Sequence, residues 1–225
     1  MICLKMSVST KSKVPSSDEA AIVDGSAPRD PALGLLLVLS GPSGVGKDTV
    51  WQAAAPMLPS FAKATTCTTR AQRPGEENGV HYFFVSDEEF DQMLREDQLL
   101  EHATVHGNRY GVPAGPLFER INNGQDVVCV IDVQGAMKIR ALFPTCLLVF
   151  LRPPKGREEE VLKSRIKSRA PLSDEELARR METAYQELAQ SQLYDYEIIN
   201  EELPLTAAQL RDIVLHEKKK WARTH

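Results

Sequence analysis

The sequence predicts a three-layer α/β fold with a mainly parallel sheet, and three observations support this prediction. Continuous apolar runs at 35–39, 127–131 and 147–151 are typical of strands that are buried on both faces of a parallel sheet. A helical pattern follows each run, and strands that alternate with helices indicate a parallel sheet covered by helices. The 225 residues, of which 42% are hydrophobic and 26% charged, suit one domain with one or two insertions.

The individual elements follow in order from apolar spacing and capping residues. The first strand leads through a glycine-rich turn into a helix over about 47–57, which Pro56 and Pro59 end. A serine followed three residues later by a glutamate predicts the start of a helix at Ser86 and again at Ser173. The other predicted elements are a strand over 81–85, a short strand at 198–199 and a terminal helix that ends in the lysines 218–220.

The charge balance excludes two classes of partner. The chain has 27 Lys and Arg against 31 Asp and Glu, a formal net charge of −4. A general binder of nucleic acid or of anionic membranes needs a basic face, so we expect neither partner. The longest apolar run also falls far short of the roughly 20 residues that a membrane helix needs.

The N-terminal segment and the cysteines indicate a cytoplasmic protein. Residues 1–32 have no sustained helical or strand period, so we expect a disordered tail. Lysines at 5, 11 and 13 interrupt any apolar stretch of a secretory signal. The 4 cysteines lie far apart without a CxxC pair, which argues against a disulfide framework or a zinc site.

A glycine-rich loop lies between the first strand and the helix after it. Its residues fit the pattern GxxxxGK and are Gly41, Pro42, Ser43, Gly44, Val45, Gly46 and Lys47. Glycines let successive backbone N–H groups turn towards a phosphate, the helix N-terminus adds partial positive charge, and Lys47 reaches the β- and γ-phosphates. The loop therefore predicts an ATP site in a P-loop NTPase fold, and a plain turn with a surface lysine is the weaker alternative.

The two residues after Lys47 complete this predicted site and depart from the usual pattern. The position after the lysine is normally Ser or Thr, whose hydroxyl ligates Mg²⁺, whereas this chain has Asp48 followed by Thr49. A carboxylate is a good oxygen ligand for Mg²⁺, so we predict that Asp48 contacts the metal directly or through water. The sequence leaves open the alternative that Asp48 only caps the helix.

Two arginines mark a candidate second phosphate site. Arg70 and Arg73 stand three residues apart in a stretch that is flanked by hydroxyl side chains and followed by Pro-Gly. Paired guanidinium groups on a loop suit bidentate capture of a phosphate dianion. Composition alone favours a solvated pair, and only the motifs around the pair change that balance.

From the phosphate loop to about Leu203, the chain closely resembles the guanylate kinases. The motifs that carry the resemblance come in the family's order and spacing, and they are the loop itself, Thr65–Glu76, Glu76–Phe84, Glu101, Gly107–Gly111 and Asp132–Gly135. The resemblance implies transfer of the γ-phosphoryl group of ATP to GMP with Mg²⁺, in purine nucleotide metabolism. It also implies a core at 33–65, 116–155 and 184–225, an inserted GMP-binding subdomain at 66–115 and a mobile lid at 156–183.

The resemblance further implies roles for individual residues. The GMP phosphate would be held by Arg70, Arg73, Tyr82 and Tyr110, with Glu76 in the same site. The guanine base would be held by Thr66 near O6 and by Glu101 and Asp132, which accept from N1 and the exocyclic amine. The catalytic cations would be Lys47, Arg70 and the lid arginines Arg165, Arg169 and Arg180, and Asn200 would lie near the adenine.

The chemistry of the two purines agrees with these roles. Guanine offers N–H donors at N1 and N2 to a carboxylate, whereas adenine has no donor at N1. A buried acid left unpaired is costly, so such a site should reject AMP strongly. The acceptor is an ionised phosphate oxygen, so we expect no general base; alignment and charge neutralisation would drive the transfer.

Two positions depart from the family pattern, and three alternatives stay open. Val112 stands where the family usually has Ser or Thr after Tyr-Gly, and Val130 replaces an acid often found two residues before Asp132.

One alternative function is that of a ribose bisphosphate phosphokinase, whose loop also reads Gly-Lys-Asp. The others are a non-catalytic guanylate-kinase-like interaction module and another nucleoside monophosphate kinase. The sequence does not indicate an oligomeric state.

Overall fold

A five-stranded sheet lies at the centre of the computed structural model, which describes residues 33–105, 107–167 and 173–223. The strands are β1 (Leu36–Ser40), β2 (Ala62–Lys63), β3 (Cys67–Thr68), β4 (Phe83–Phe84), β5 (Leu99–Val105), β6 (Asn108–Pro113), β7 (Val127–Val130), β8 (Leu147–Arg152) and β9 (Tyr196–Ile199). The helices are α1 (Lys47–Ala54), α2 (Asp87–Arg95), α3 (Ala114–Asn122), α4 (Val133–Leu142), α5 (Glu158–Lys167), α6 (Asp174–Leu188) and α7 (Leu203–Arg223). The predictions for the first 32 residues and for Arg169 lie outside the described residues.

The predicted three-layer architecture with a parallel sheet is confirmed. The central sheet has the order β2-β7-β1-β8-β9, and all of its strand pairs are parallel. Successive side chains of a strand point to opposite faces, and β1 shows this directly. Leu37 and Leu39 pack with α1, α6 and α7, whereas Leu36 and Val38 pack with α3 and α4. Two helical layers therefore cover a sheet that is buried on both faces.

The parallel order brings four chain segments to one edge of the central sheet. The carboxyl ends of parallel strands share an edge, where open α/β proteins bind their ligands. The phosphate loop leaves β1 there, Asp132 follows β7, the 156–183 segment follows β8, and Asn200 follows β9. This edge is the place at which a site can form.

A second sheet of four strands, with the order β4-β3-β6-β5, forms a smaller unit with α2. Its own core consists of Cys67, Phe90 and Leu99. Strands β5 and β6 are not predicted from the sequence, because polar residues such as Glu101 and His102 interrupt their apolar pattern. Leu99 and Leu100 are both buried while 102–104 are all exposed, so burial does not alternate along β5 and apolar spacing signals the strand only weakly.

The predicted helix starts are confirmed, and one predicted strand is wrong in extent. Ser86 and Glu89 form a complete capping box at α2, and Ser173 Oγ accepts a hydrogen bond from the backbone N–H of Glu176 at α6. The helix predicted over 47–57 consists of α1 and a 3₁₀ turn. The strand predicted over 81–85 is reduced to β4, because the chain turns just before it, where Gly79 N donates to the carbonyl of Tyr82 at 2.7 Å.

No helix among the described residues is long and apolar enough to cross a membrane.

Candidate nucleotide site

The loop 41–47 folds tightly between β1 and α1, and its glycines make this possible. Gly46 is the N-cap of α1 with φ 97°, a left-handed conformation that side chains other than glycine adopt at a cost. A Cβ atom on Gly41 would lie 2.2 Å from the carbonyl oxygen of Leu151, so glycine is also required by space there. Lys47 curls back over the loop, and its Nζ donates to the carbonyl oxygens of Gly41 at 2.6 Å and Pro42 at 3.3 Å.

The ammonium group of Lys47 is surrounded by acids. Burial lowers its pKa, while the carboxylates of four residues act in the opposite direction, and these are Glu187, Glu101, Asp132 and Asp48 in order of their effect. Desolvation is the larger influence, so the ammonium depends on these neighbours for its charged form. A polyphosphate carries more negative charge than a single carboxylate and would likewise favour the charged form of Lys47.

The outer side of the loop is fixed by two long-range hydrogen bonds to one carbonyl. Val45 O accepts from Arg165 Nη1 at 2.8 Å and from Asn200 Nδ2 at 2.7 Å. Asn200 is only 5% exposed. The structure thus places a predicted lid arginine and the predicted adenine residue together, in contact with the phosphate loop itself.

Asp48 does not cap the helix, so that alternative is wrong. The N-cap residue is Gly46, α1 has no side-chain cap, and Asp48 Oδ1 instead accepts a hydrogen bond from Lys63 Nζ at 2.9 Å. Both partners are about half exposed or more. No group of three or more His, Cys, Asp and Glu residues that could hold a metal ion occurs among the described residues. Mg²⁺ is commonly bound by one or two carboxylates plus substrate phosphates, and Asp48 fits that donor set.

At the other end of the site, two acids are linked through the start of α4. Glu101 Oε2 accepts from the backbone N–H of Asp132 at 2.8 Å, and Asp132 Oδ1 accepts from Gly135 N at 2.7 Å. Among the described residues, the second oxygen of each carboxylate accepts no further hydrogen bond. Burial raises the pKa of Glu101 to about 7, while the hydrogen bond from the backbone of Asp132 lowers it and the negative charge of Asp132 raises it by a smaller amount.

Gly135 brings α4 close enough for this linkage, and a substitution tests the close approach. A Cβ atom there would lie 2.4 Å from Ile131 Cδ1, 2.6 Å from Ile131 Cγ1 and 3.3 Å from Glu101 Cβ. We expect Gly135→Ala to lower the free energy of unfolding by about 1–3 kcal/mol, as overpacking does. Gly115→Ala in α3 is the control, because a Cβ atom there meets nothing within 4 Å. Denaturant unfolding of both variants measures this, and equal stabilities would contradict the close approach.

One cleft of about 510 Å³ connects the loop with the two acids. The residues that line this cleft include Ser43, Gly44, Gly46, Lys47, Asp48, Thr66, Glu101, Tyr110, Val130, Asp132 and Glu187. Val130 lines the cleft, whereas Val112 is 5% exposed and packs in the core with Leu100 and Leu117. The valine at 112 is therefore accounted for by packing.

The predicted second phosphate site is gathered around Arg70. Its guanidinium makes two hydrogen bonds to Glu76, of 3.1 and 2.8 Å, and lies 5.5 Å from the ring centre of Tyr82. The Tyr82 and Tyr110 rings meet edge to face at 6.2 Å, and Tyr110 lines the cleft. Hydrogen bonds to Glu76 and, to a smaller extent, Tyr110 raise the pKa of Arg70.

Arg73 and Arg180 contact acids of their own chain segments. Arg73 is exposed, and its backbone N–H donates to Glu76 Oε2 at 2.8 Å. Arg180 Nε donates to Glu176 Oε1 at 2.8 Å, within α6 itself. Neither side chain lines the cleft, whereas Glu187, which the sequence analysis did not single out, does so.

Glu187 lies at the end of α6 and reaches the phosphate loop. Its Oε2 accepts a hydrogen bond from the backbone N–H of Ser43 at 3.2 Å. Burial raises its pKa, and the charge of Lys47 lowers it. The signal in the sequence was an acid three residues after Ala184, beside the apolar stripe of a helix that packs in the core.

Comparisons with known proteins agree on one family. Residues 34–217 match the family model described as guanylate kinase. The guanylate kinase of Desulfitobacterium hafniense is 43% identical over 185 residues, which cover 82% of this chain and 91% of that protein. That of Carboxydothermus hydrogenoformans is 38% identical, with 85% and 93% covered. The crystal structure of guanylate kinase from Anaplasma phagocytophilum superposes with a TM-score of 0.56 at 32% identity, covering 83% of this chain and 87% of that one.

Proposed function

This chain belongs to the guanylate kinase family and transfers the γ-phosphoryl group of ATP to GMP, and we propose that the cleft described above is where it does so. The observation that carries this proposal is that the amide-lined loop and the two linked acids share one cleft. The loop would then bind the phosphates of ATP, and the two acids would accept hydrogen bonds from the guanine of GMP in the same cleft. The comparisons do not favour a ribose bisphosphate phosphokinase or a non-catalytic interaction module.

The ATP end of the cleft is formed by the phosphate loop with Lys47 and Asp48, and the exposed Thr49 follows them on α1. Loop amides would cradle the phosphates, and the ammonium of Lys47 would exchange its two carbonyl contacts for phosphate oxygens. Asp48 would hold Mg²⁺ after giving up Lys63, and the ion supplies neutralisation of phosphate charge. Arg165 and Asn200 both donate to Val45 O of the loop, which supports a position of both side chains beside the nucleotide when it is bound.

The GMP end is formed by Thr66, Glu101 and Asp132 for the base. Each acid retains one carboxylate oxygen for the donors at guanine N1 and N2 after the internal hydrogen bonds are made. Arg70, Arg73, Tyr82 and Tyr110 would hold the phosphate. Glu76 orients the fork of Arg70 through two hydrogen bonds, so its part in the site is indirect.

The division of the chain supports two moving parts. Strands β3, β4, β5 and β6 all lie within 66–115, which supports a GMP-binding subdomain with its own small core. The lid over 156–183 carries Arg165 and Arg180, together with Arg169 outside the described residues. Closure of such a lid would bring cations over the ATP phosphates and exclude water from the reacting atoms.

The reaction itself is tested by rival acceptors. ADP release is measured in a coupled assay with GMP, AMP, UMP and ribose bisphosphate. We expect turnover with GMP far above that with the other three, because the two acids find no N–H donor at N1 of adenine. Turnover with ribose bisphosphate above that with GMP would support the phosphokinase, and no turnover with any acceptor would support an interaction module.

The pKa of Glu101 predicts the pH dependence of GMP binding. Only the carboxylate accepts from guanine, and with a pKa raised from 4.5 to about 7 the acid becomes protonated as the pH falls through neutrality. Between about pH 8 and about pH 6 the ionised fraction falls roughly tenfold, so we expect the KM for GMP to rise by about that factor. The Glu101→Gln variant is the control, since it retains only the titration of the GMP phosphate. A wild-type KM that follows the variant's pH profile would contradict the role of Glu101.

A further inference from the structure

The end of α6 places an anion in the position where the phosphate loop would receive its ligand. Glu187 Oε2 accepts the backbone N–H of Ser43 at 3.2 Å, and Ser43 belongs to the loop whose N–H groups cradle phosphate in this fold. The residues are 144 positions apart in the chain, so tertiary structure alone brings them together. A carboxylate and a phosphate oxygen are both anionic acceptors for the same amide.

The same carboxylate also acts on the loop lysine. Among the acids that favour the charged form of Lys47, Glu187 has the largest effect. Lys47 in turn is the first charge that favours the ionised form of Glu187. One carboxylate therefore accepts a hydrogen bond from an amide of the loop and favours the charged form of its ammonium group. In this fold both groups bind the phosphates of ATP.

We propose that Glu187 is a positioning residue that holds the phosphate loop as a substitute for a phosphate of ATP and gives way when ATP binds. This inference rests on the proposed function, because it needs the loop to be the ATP site. The carboxylate accepts from the Ser43 amide and its charge favours the ammonium form of Lys47, whose own hydrogen bonds go to the carbonyls of Gly41 and Pro42. A phosphate oxygen and the carboxylate cannot both occupy the position at the Ser43 amide, so ATP binds only as Glu187 withdraws, and part of its binding free energy is spent on that withdrawal.

The position of Glu187 connects this exchange to the lid helix. Arg180 lies seven residues earlier on α6, at a spacing that puts both side chains on one helix face. At present Arg180 is paired with Glu176 on its own helix while Glu187 contacts the loop. The acid that leaves the loop and a lid cation therefore belong to the same helix.

The test removes the charge and keeps the shape. Glu187→Gln leaves a neutral oxygen that can still accept from Ser43, while the charge that competes with phosphate is lost. Glu182→Gln is the matched control, because Glu182 lies exposed on the same helix and contacts Gln186 rather than the loop. ATP and inorganic tripolyphosphate are titrated by calorimetry without GMP, both with and without Mg²⁺.

We expect Glu187→Gln to bind ATP and tripolyphosphate about tenfold more tightly than the wild type, since a hydrogen bond to a charged group is replaced by a neutral one. The KM for ATP falls and the KM for GMP stays unchanged, which general loosening of the fold would not produce. Glu182→Gln binds as the wild type does. Unchanged or weaker binding of both ligands by Glu187→Gln would overturn the proposal.

Two further measurements separate the possible failures. If Glu187→Gln does not fold, Glu187→Asp keeps the charge on a shorter side chain that no longer reaches Ser43, and its ATP binding must then also tighten. The NMR resonance of the Ser43 amide must shift in the wild type when tripolyphosphate is added. In Glu187→Asp the same resonance must differ from that of the wild type before any tripolyphosphate is added. A resonance that changes neither with tripolyphosphate nor with the substitution contradicts the exchange. Wild-type turnover with GMP, measured in parallel, tests the proposed function independently of Glu187.

Discussion

The Lys47→Ala variant is expected to lose kcat by about a thousandfold or more, because a positioned cation on the transferring phosphoryl group is worth that much in phosphoryl transfer. Lys47 Nζ lies over the phosphate loop, 2.6 Å from the carbonyl of Gly41, and is set to meet phosphate oxygens. Its removal takes away the charge and leaves the backbone cradle in place. The KM for ATP should therefore change far less than kcat.

The control shows whether the loss comes from the site or from the fold. Lys138→Ala removes a lysine whose partner is the exposed Asp97 on the surface, so its kcat should match that of the wild type. Circular dichroism and thermal unfolding of both variants establish that the protein is folded. Turnover of Lys47→Ala within tenfold of the wild type would contradict the assignment of the loop.

The Arg70→Ala variant should show the second largest effect, now on the GMP side. Its guanidinium presents a fork that Glu76 holds with hydrogen bonds of 3.1 and 2.8 Å, and the fork suits the phosphate of GMP. Loss of charge-assisted hydrogen bonds to phosphate is expected to lower kcat/KM for GMP by about 10²–10³-fold. The KM for ATP should remain within about threefold, because the contacts of the Arg70 guanidinium are with residues of the 66–115 segment and not with the phosphate loop.

Arg109→Ala is a matched control for this variant. Like Arg70, Arg109 belongs to the 66–115 segment and lies over an aromatic ring, that of Phe90. It pairs with two acids, Asp87 and Asp91. Its partners belong to α2 and not to the cleft, so kcat/KM for GMP should be unaffected. Steady-state kinetics with GMP varied at saturating ATP measures both variants. A similar loss in both would assign the effect of Arg70 to the stability of the subdomain.

Local patterns in the sequence were sufficient for the central fold. The strands of the main sheet are continuous apolar runs, and the helix starts carry capping serines, so both signals are confined to a few neighbouring residues. The hairpin of β5 and β6 was not predicted, because buried and exposed residues follow one another in blocks along its strands. Apolar spacing signals a strand clearly only where buried and exposed residues alternate.

The candidate site also has one part that local sequence predicts and another part that it does not. The phosphate loop is a run of consecutive residues, so its presence and its conformation are local properties that the sequence can express. The roles of Arg70, Glu101 and Asp132 came from resemblance to a family, since nothing in their spacing places them near one another. The linkage of Glu101 to the backbone of Asp132 depends on the close approach of α4 at Gly135.

The sequence by itself therefore determined the parallel α/β architecture, the phosphate loop and the family. Each of the three depends on residues that are neighbours in the chain or on motifs that follow one another in a fixed order. Only the tertiary structure decided that Asp48 pairs with Lys63, that Asn200 and Arg165 meet on Val45, and that Glu187 reaches Ser43. These contacts join residues from different elements at one edge of the sheet. Their energies depend on burial and on the charges brought together there, quantities that exist only once the chain has folded.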